Sequence, residues 1–454
     1  MKDYQIWLRN FYLGKYYPIL AVLLVFFGHA TGQEIIFGAL LLLSMVPACF
    51  LCDDARFALL PLLCVTFTVS AKDYAPNDTG YAERFWNAPV IIAMAIVLIL
   101  VIGAFVCFVH RQRNSCNKLP RSGVFYGLLA LCGAFLLNGL FSQNYTPMNL
   151  FFSGLIALIL LAIYLLFTLY IQFDRKCMDY LAYCLVISGL LICAELILAY
   201  VTTVRFENGE IVKGSVVLGW GVWTTIGGMI AFLMPTCFYF AASHRRGWVG
   251  YLLGLFMYVC ILLSQSRGAL LMGSLALALC LFYLFFFGKN RKQNRIFTLI
   301  IALGAIAVCL LFSQKMLTLI QNFLQYGFGD NGRFDIWKIG FEHFLDDPVF
   351  GSGFYDSYVT EEWERTVDPY LYHNTIVQLF GATGLVGVVA YAYHRFTTVR
   401  LLLRRPTEGN VFLGIAILTL LLFSLLDVLF FKLYPSVFYA TMLAFMERDR
   451  DFEV

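Results

Sequence analysis

The residues able to do chemistry gather late in this 454-residue chain. Between Ser313 and Asn374 a lipid-like sequence turns polar and brings together Arg333, Trp337, His343, a group of acidic residues and Tyr372-His373-Asn374. Histidine is the side chain best suited to proton transfer near neutral pH. His373, with Asn374 beside it, is therefore a candidate base; the alternative is an interfacial histidine followed by an asparagine that caps the next helix. Arg333 begins an amphipathic pattern, and Arg267 stands in Ser264-Gln-Ser-Arg267-Gly-Ala inside a long apolar stretch. A charge at that depth is costly and ordinarily faces a cavity or a partner, unless it snorkels to the headgroups. Guanidinium carries planar donors that bind phosphate oxygens in pairs. With Arg205 and Lys213, from the loop before the apolar run at 216–243, the two arginines could form a basic pocket. Glu195 and Asp427 fall within apolar runs, where a carboxylate either has a direct role or pairs structurally with an arginine.

Other signals are weaker. Gly327-Phe-Gly-Asp-Asn-Gly332 spells GxGxxG but follows no predicted strand, so the dinucleotide reading lacks its context. No HExxH, GxSxG or Walker-type motif occurs. Cys49-Phe-Leu-Cys52 has no second pair, and most of the 13 cysteines lie in apolar runs, where they read as small packing residues. No metal site, cofactor or nucleic-acid partner is expected.

The elements that must position these residues are membrane helices. The chain is 61% hydrophobic and 13% charged, against about 25% charged in soluble domains. Apolar runs long enough to cross a bilayer recur along its length, and the short alternating segments of a membrane β-barrel are absent. This predicts an all-α polytopic bundle of about 12–14 spans forming a single transmembrane domain over residues 1–454. The runs fall near 16–31, 34–52, 57–72, 88–110, 122–141, 148–173, 178–204, 216–243, 248–265, 268–288, 295–312, 375–396, 411–431 and 433–447. Lys and Arg concentrate in alternate connections, at Arg111–Arg121, Arg175-Lys176, Arg245-Arg246, Lys289–Arg295 and Arg395–Arg405. The positive-inside rule then puts both termini in the cytoplasm and the segment 313–374 outside. Within that segment Phe334, Trp337, Phe341, Phe344 and Leu345 recur at helical spacing, with Asp335, Lys338, Glu342 and Asp346 opposite. That pattern suits a helix lying on a membrane surface.

Three ordered blocks resemble the O-antigen ligase/polymerase superfamily. They are Ser266-Arg267-Gly268-Ala269; Gly332-Arg333 with Trp337, Pro348, Gly351 and Gly353; and His373-Asn374 with Gln378 and Gly381-Ala-Thr-Gly384-Leu-Val-Gly387. The resemblance covers about residues 216–400. It implies a GT-C-like glycosyltransferase of a bacterial inner membrane, working without a metal on the periplasmic side. Such enzymes move a glycan from an undecaprenyl-diphosphate carrier to a hydroxyl: lipid A–core for a ligase, another carrier-linked unit for a polymerase. The family's diphosphate-binding basic positions correspond to Arg267 and Arg333 and its essential histidine to His373; Arg205, Asn374, Gln378, Trp337, Glu195 and Asp427 are expected in support. A lipid-linked glycan flippase or transporter is the alternative of another class, although no matched internal repeat is found.

Overall fold

The computed structural model describes residues 2–68, 87–143, 145–174, 176–311, 333–354, 358–359, 364–365, 372–404 and 406–452. The GxGxxG segment at 327–332 and the start of the polar interruption lie outside the described residues.

The chain begins with α1 (Lys2–Leu13), α2 (Tyr16–Thr31) and α3 (Glu34–Leu51). Gly32, in the left-handed region at φ 66°, ends α2 and turns the chain into α3. A 3-10 turn at Ala55–Ala58 leads into the short α4 (Leu59–Val65). Next come α5 (Ala88–Arg111), α6 (Gly123–Phe141), α7 (Pro147–Tyr170) and α8 (Cys177–Thr202). Side-chain caps mark the starts of α6 and α7: Ser122 accepts from the Phe125 amide, and Thr146, followed by Pro147, accepts from that of Asn149. Two small antiparallel hairpins follow α8, Phe206–Glu207 with Glu210–Ile211 and Val217–Leu218 with Gly221–Val222. The second half contains α9 (Trp223–Leu233), α10 (Pro235–Ser243), α11 (Trp248–Leu263), α12 (Arg267–Phe286) and α13 (Arg291–Leu311). It closes with α14 (Arg333–Asp346), α15 (Thr375–Arg404), α16 (Glu408–Phe423) and α17 (Leu433–Phe452).

This is an all-α polytopic membrane protein. Among the described residues eight helices, counting α9 and α10 as one, are long and apolar enough to cross a bilayer; α1 with α2, bent by 62°, would make a ninth. Among the described residues several of the fourteen apolar runs form helices shorter than these. The run at 57–72 contributes only a short apolar helix, and α11 and α16 have 16 residues each, about 24 Å of helix at 1.5 Å per residue. Hydropathy counts apolar residues, whereas a span also requires uninterrupted helix. The run at 411–431 loses its helix after Phe423, so Asp427 sits in a connection and not in a helix. Lipid contact is plainest on α5, where only 11% of the apolar window is buried and Ile99 is 69% exposed.

The break in α15 bears most directly on the placement of His373. Gly384 takes φ 57° and ψ −163° inside it, a conformation that glycine tolerates best. The turn at Pro348–Gly353 inserts there. Leu385 and Val386 donate their amides to the Pro348 and Val349 carbonyls, at 2.9 and 3.2 Å. In return the Gly381 and Ala382 carbonyls accept from the amides of Ser352 and Gly353, at 2.9 and 3.0 Å. Four bonds to the inserted turn thus stand where the helical ladder is interrupted. Irregular backbone inside a membrane bundle requires such compensation.

Candidate functional site

Helix α14 matches the amphipathic pattern and docks on the first half of α15. Phe334, Phe341 and Leu345 remain exposed on it. Its other side closes over Tyr372, whose ring is buried between two glycines. A Cβ on Gly340 would come within 2.9 Å of that ring and one on Gly381 within 3.0 Å, so both must lack side chains. Trp337 donates its indole N–H to the Tyr372 carbonyl at 3.0 Å, the Tyr372 amide donates to Gln378 Oε1 at 3.4 Å, and the Tyr372 hydroxyl meets His343 Nδ1 at 2.6 Å. Trp337 and Gln378 therefore act on the backbone that carries His373.

His373 comes next, with φ 48°. Non-glycine residues in the left-handed region cost about 1–3 kcal/mol and persist where the surroundings over-determine them. Here they do. Asn374 caps α15, its Oδ1 accepting from the Ile376 and Val377 amides at 2.8 and 3.3 Å. Its Nδ2 donates to the Leu425 carbonyl at 3.0 Å, and the Thr375 amide donates to the Ser424 carbonyl at 2.8 Å. The capping alternative for Asn374 is thus the geometry found. The cap also pins the turn to the α16–α17 connection.

That pinning brings His373 Nδ1 to 3.3 Å from Asp427 Oδ1. The Asp427 side chain is 9% exposed and that of His373 42%. Asp427 Oδ1 also accepts from the Val428 amide at 2.8 Å. Burial alone would raise the Asp427 carboxyl, but Lys432 first and His373 next outweigh it and hold it below the usual carboxylate range. Lys432 in turn donates to Thr225 Oγ1 at 2.8 Å, which ties the start of α9 to the connection.

The cations approach from two sides. Arg267 opens α12 just after Ser266, which caps the helix by accepting from the Ala269 amide at 3.2 Å. A Cβ on the neighbouring Gly268 would lie 3.2 Å from Leu426, directly before Asp427. Arg333 stands one turn before Trp337 on α14. Neither arginine pairs with a carboxylate of the described residues. Lys213 rides above the Trp223 ring, 5.5 Å from its centroid. Burial, then Arg267 and Arg333, hold Lys213 below the ordinary lysine range, so both guanidinium groups act on Lys213. Like charges drawn together at a loop junction suit an anion.

Two further expected residues have described partners of their own. Glu195 is buried in α8, where Trp220 donates to its Oε2 at 2.9 Å and its Oε1 has no partner among the described residues. Arg205 lies exposed at the root of the first hairpin, its amide donating to Ser215 Oγ at 2.8 Å. Lys432 escaped sequence reasoning; its only signal was a lysine five residues after Asp427 in an apolar segment. No group of three or more His, Cys, Asp or Glu with metal-holding geometry occurs among the described residues.

Residues 252–392 match the O-antigen ligase family model. No curated protein matches the chain. The resemblance to the O-antigen ligase/polymerase superfamily is therefore borne out over this segment. The O-antigen ligase segment holds Arg267, Arg333, Trp337, His373, Asn374 and Gln378, while Lys213, Asp427 and Lys432 lie outside it. It supports a glycosyltransferase-like function of O-antigen ligase/polymerase type.

Proposed function

We propose that the protein transfers a glycan from an undecaprenyl-diphosphate carrier to an acceptor hydroxyl, as a ligase acting on lipid A–core. The observation that carries this reading is the pairing of His373 with Asp427, beside the start of α12 that bears Arg267 and under α14, which begins at Arg333 and bonds through Trp337 to the Tyr372 backbone. The acceptor oxygen attacks the anomeric carbon while the bond from that carbon to the diphosphate oxygen breaks. The bonding electron pair leaves with the diphosphate, whose growing charge Arg267, Arg333 and Lys213 stabilise. The acceptor proton goes to His373 Nε2, and Asp427 holds the ring by accepting from Nδ1–H. One displacement inverts the anomeric centre. The concentration of Lys and Arg at alternate connections supports cytoplasmic termini and a site on the outer face, and the family match supports a bacterial inner membrane with that face toward the periplasm.

The test is reconstitution with a polyprenyl-diphosphate glycan and two acceptors. Transfer to lipid A–core that is lost in H373A supports the ligase. Joining of two carrier-linked units instead identifies a repeat-unit polymerase. Translocation with no new glycosidic bond would falsify the transferase reading in favour of a flippase. Transfer is expected to persist after chelation of divalent metal.

A further inference from the structure

Asn138 of α6 is fully buried and lies well before the O-antigen ligase segment. Its side-chain amide donates to two carbonyls, those of Phe350 and Ala382. Phe350 belongs to the inserted turn and Ala382 to the half of α15 before the Gly384 break. One amide therefore bridges the wedge and the half-helix it props. Ser153 of α7 donates to Asn138 Oδ1 at 3.3 Å, fixing which way the amide faces. A second fully buried amide, Asn149, donates to the Ser352 carbonyl at 3.4 Å. The wedge fits tightly against Asn149 and α15: a Cβ on Gly353 would lie 2.5 Å from Asn149 Nδ2, and one on Gly351 2.6 Å from the Ala382 backbone.

The half-helix Thr375–Thr383 carries Asn374 and His373 at its start. Its direction depends on the Gly384 break, where the Leu385 and Val386 amides bond to the inserted turn instead of to the Gly381 and Ala382 carbonyls. The wedge also leads back to α14, since Asp347 accepts from the Phe350 amide at 3.1 Å and from the Gln143 amide, at the end of α6, at 3.1 Å. A tilt at the break would strain the bonds from Asn374 and Thr375 to the α16–α17 connection, and with them the contact between His373 and Asp427.

We infer that Asn138 is a positioning residue for the transferase, setting through the wedge the angle at which the half-helix presents His373. This rests on the function proposed above. Asn138 touches no reacting atom; it would act only through His373.

The experiment compares single-turnover transfer from a polyprenyl-diphosphate glycan by wild type, N138L, H373A and N138L/H373A in nanodiscs, with protein amounts matched. N138L keeps the shape of the side chain and removes both donors. It should lower kcat by at least tenfold with donor KM within about twofold, and it should slow H373A no further. An equal slowing in both backgrounds, or less than a twofold effect in wild type, overturns the positioning role. If H373A itself transfers at the wild-type rate, the proposed mechanism fails instead. Should N138L not accumulate, S153A, which frees the amide without removing its donors, carries the same cycle with a smaller expected loss of two- to fivefold.

Discussion

Asp427 Oδ1 lies 3.3 Å from His373 Nδ1 although 54 residues separate them in the chain. The two are held by one joint, since Asn374 and Thr375 at the capped start of α15 bond to Leu425 and Ser424 in the turn that leads to Asp427. At 3.3 Å the contact is longer than the roughly 2.7–2.9 Å of a charge-assisted bond, and catalytic hydrogen bonds commonly tighten only once substrate is bound. General-base catalysis contributes about 10²–10⁴-fold, so H373A should lose activity on that order. D427N should lose less, because the base remains but its orientation and tautomer are no longer enforced. The measurement is initial transfer rate by purified protein. A D427N enzyme at full rate would remove Asp427 from the mechanism.

Arg267 and Arg333 reach the anion from different helices, so their losses should be separable. Hydrogen bonds to charged groups contribute about 1.5–3 kcal/mol each, which is roughly 10–100-fold. R267A and R333A should each weaken donor binding by that factor, and R267K and R333K should recover only part of it, since an ammonium lacks the paired planar donors. Titration with the carrier-linked glycan reads this directly; unchanged affinity in both alanine variants would disprove the cation assignment.

Lys213 gives a pH signature. Its proton is held less tightly than that of an ordinary lysine, because burial and then Arg267 and Arg333 disfavour the charge. As pH rises, Lys213 therefore neutralises before exposed lysines do, and the site loses one cation. Donor kcat/KM should decline on the alkaline side, ahead of the ordinary lysine range, while kcat changes less because a bound diphosphate keeps the proton on. K213R should remove the alkaline decline. A decline that persists in K213R would assign it to another group.

The packing around Tyr372 makes a stability prediction. A Cβ at Gly340 would sit 2.5 Å from Val377 Cγ1 and 2.9 Å from the Tyr372 ring. Overpacking of this kind costs about 1–3 kcal/mol. G340A should lower the apparent melting temperature and the transfer rate together, because the ring it displaces carries the backbone leading to His373. G103A, whose Cβ meets nothing within 4 Å, is the control and should change neither. Equal melting of G340A and G103A would mean that α14 is not seated on Tyr372 as described.

Much of this protein was legible before folding. Hydrophobic composition determined the solvent, and helical periodicity from Phe334 to Leu345 drew α14 correctly. Arg267, Arg333 and His373 were singled out by type, since a charge or a histidine is costly in an apolar chain and stands out. Where reasoning along the chain failed, the cause was spacing. Asp427 looked like a residue within a span because hydropathy does not register that helix α16 stops at Phe423. Lys432 carried no mark of its link to Thr225, a contact across 207 residues. Nothing along the chain marks Asn138 and Asn149. Their meaning depends on carbonyls freed more than 200 residues away, at a break in α15 that only the inserted turn makes tolerable. The sequence by itself determined which groups could do chemistry and that they belonged in a membrane. The tertiary structure alone decided which of them meet, because backbone groups buried away from water must find partners wherever the packing leaves them.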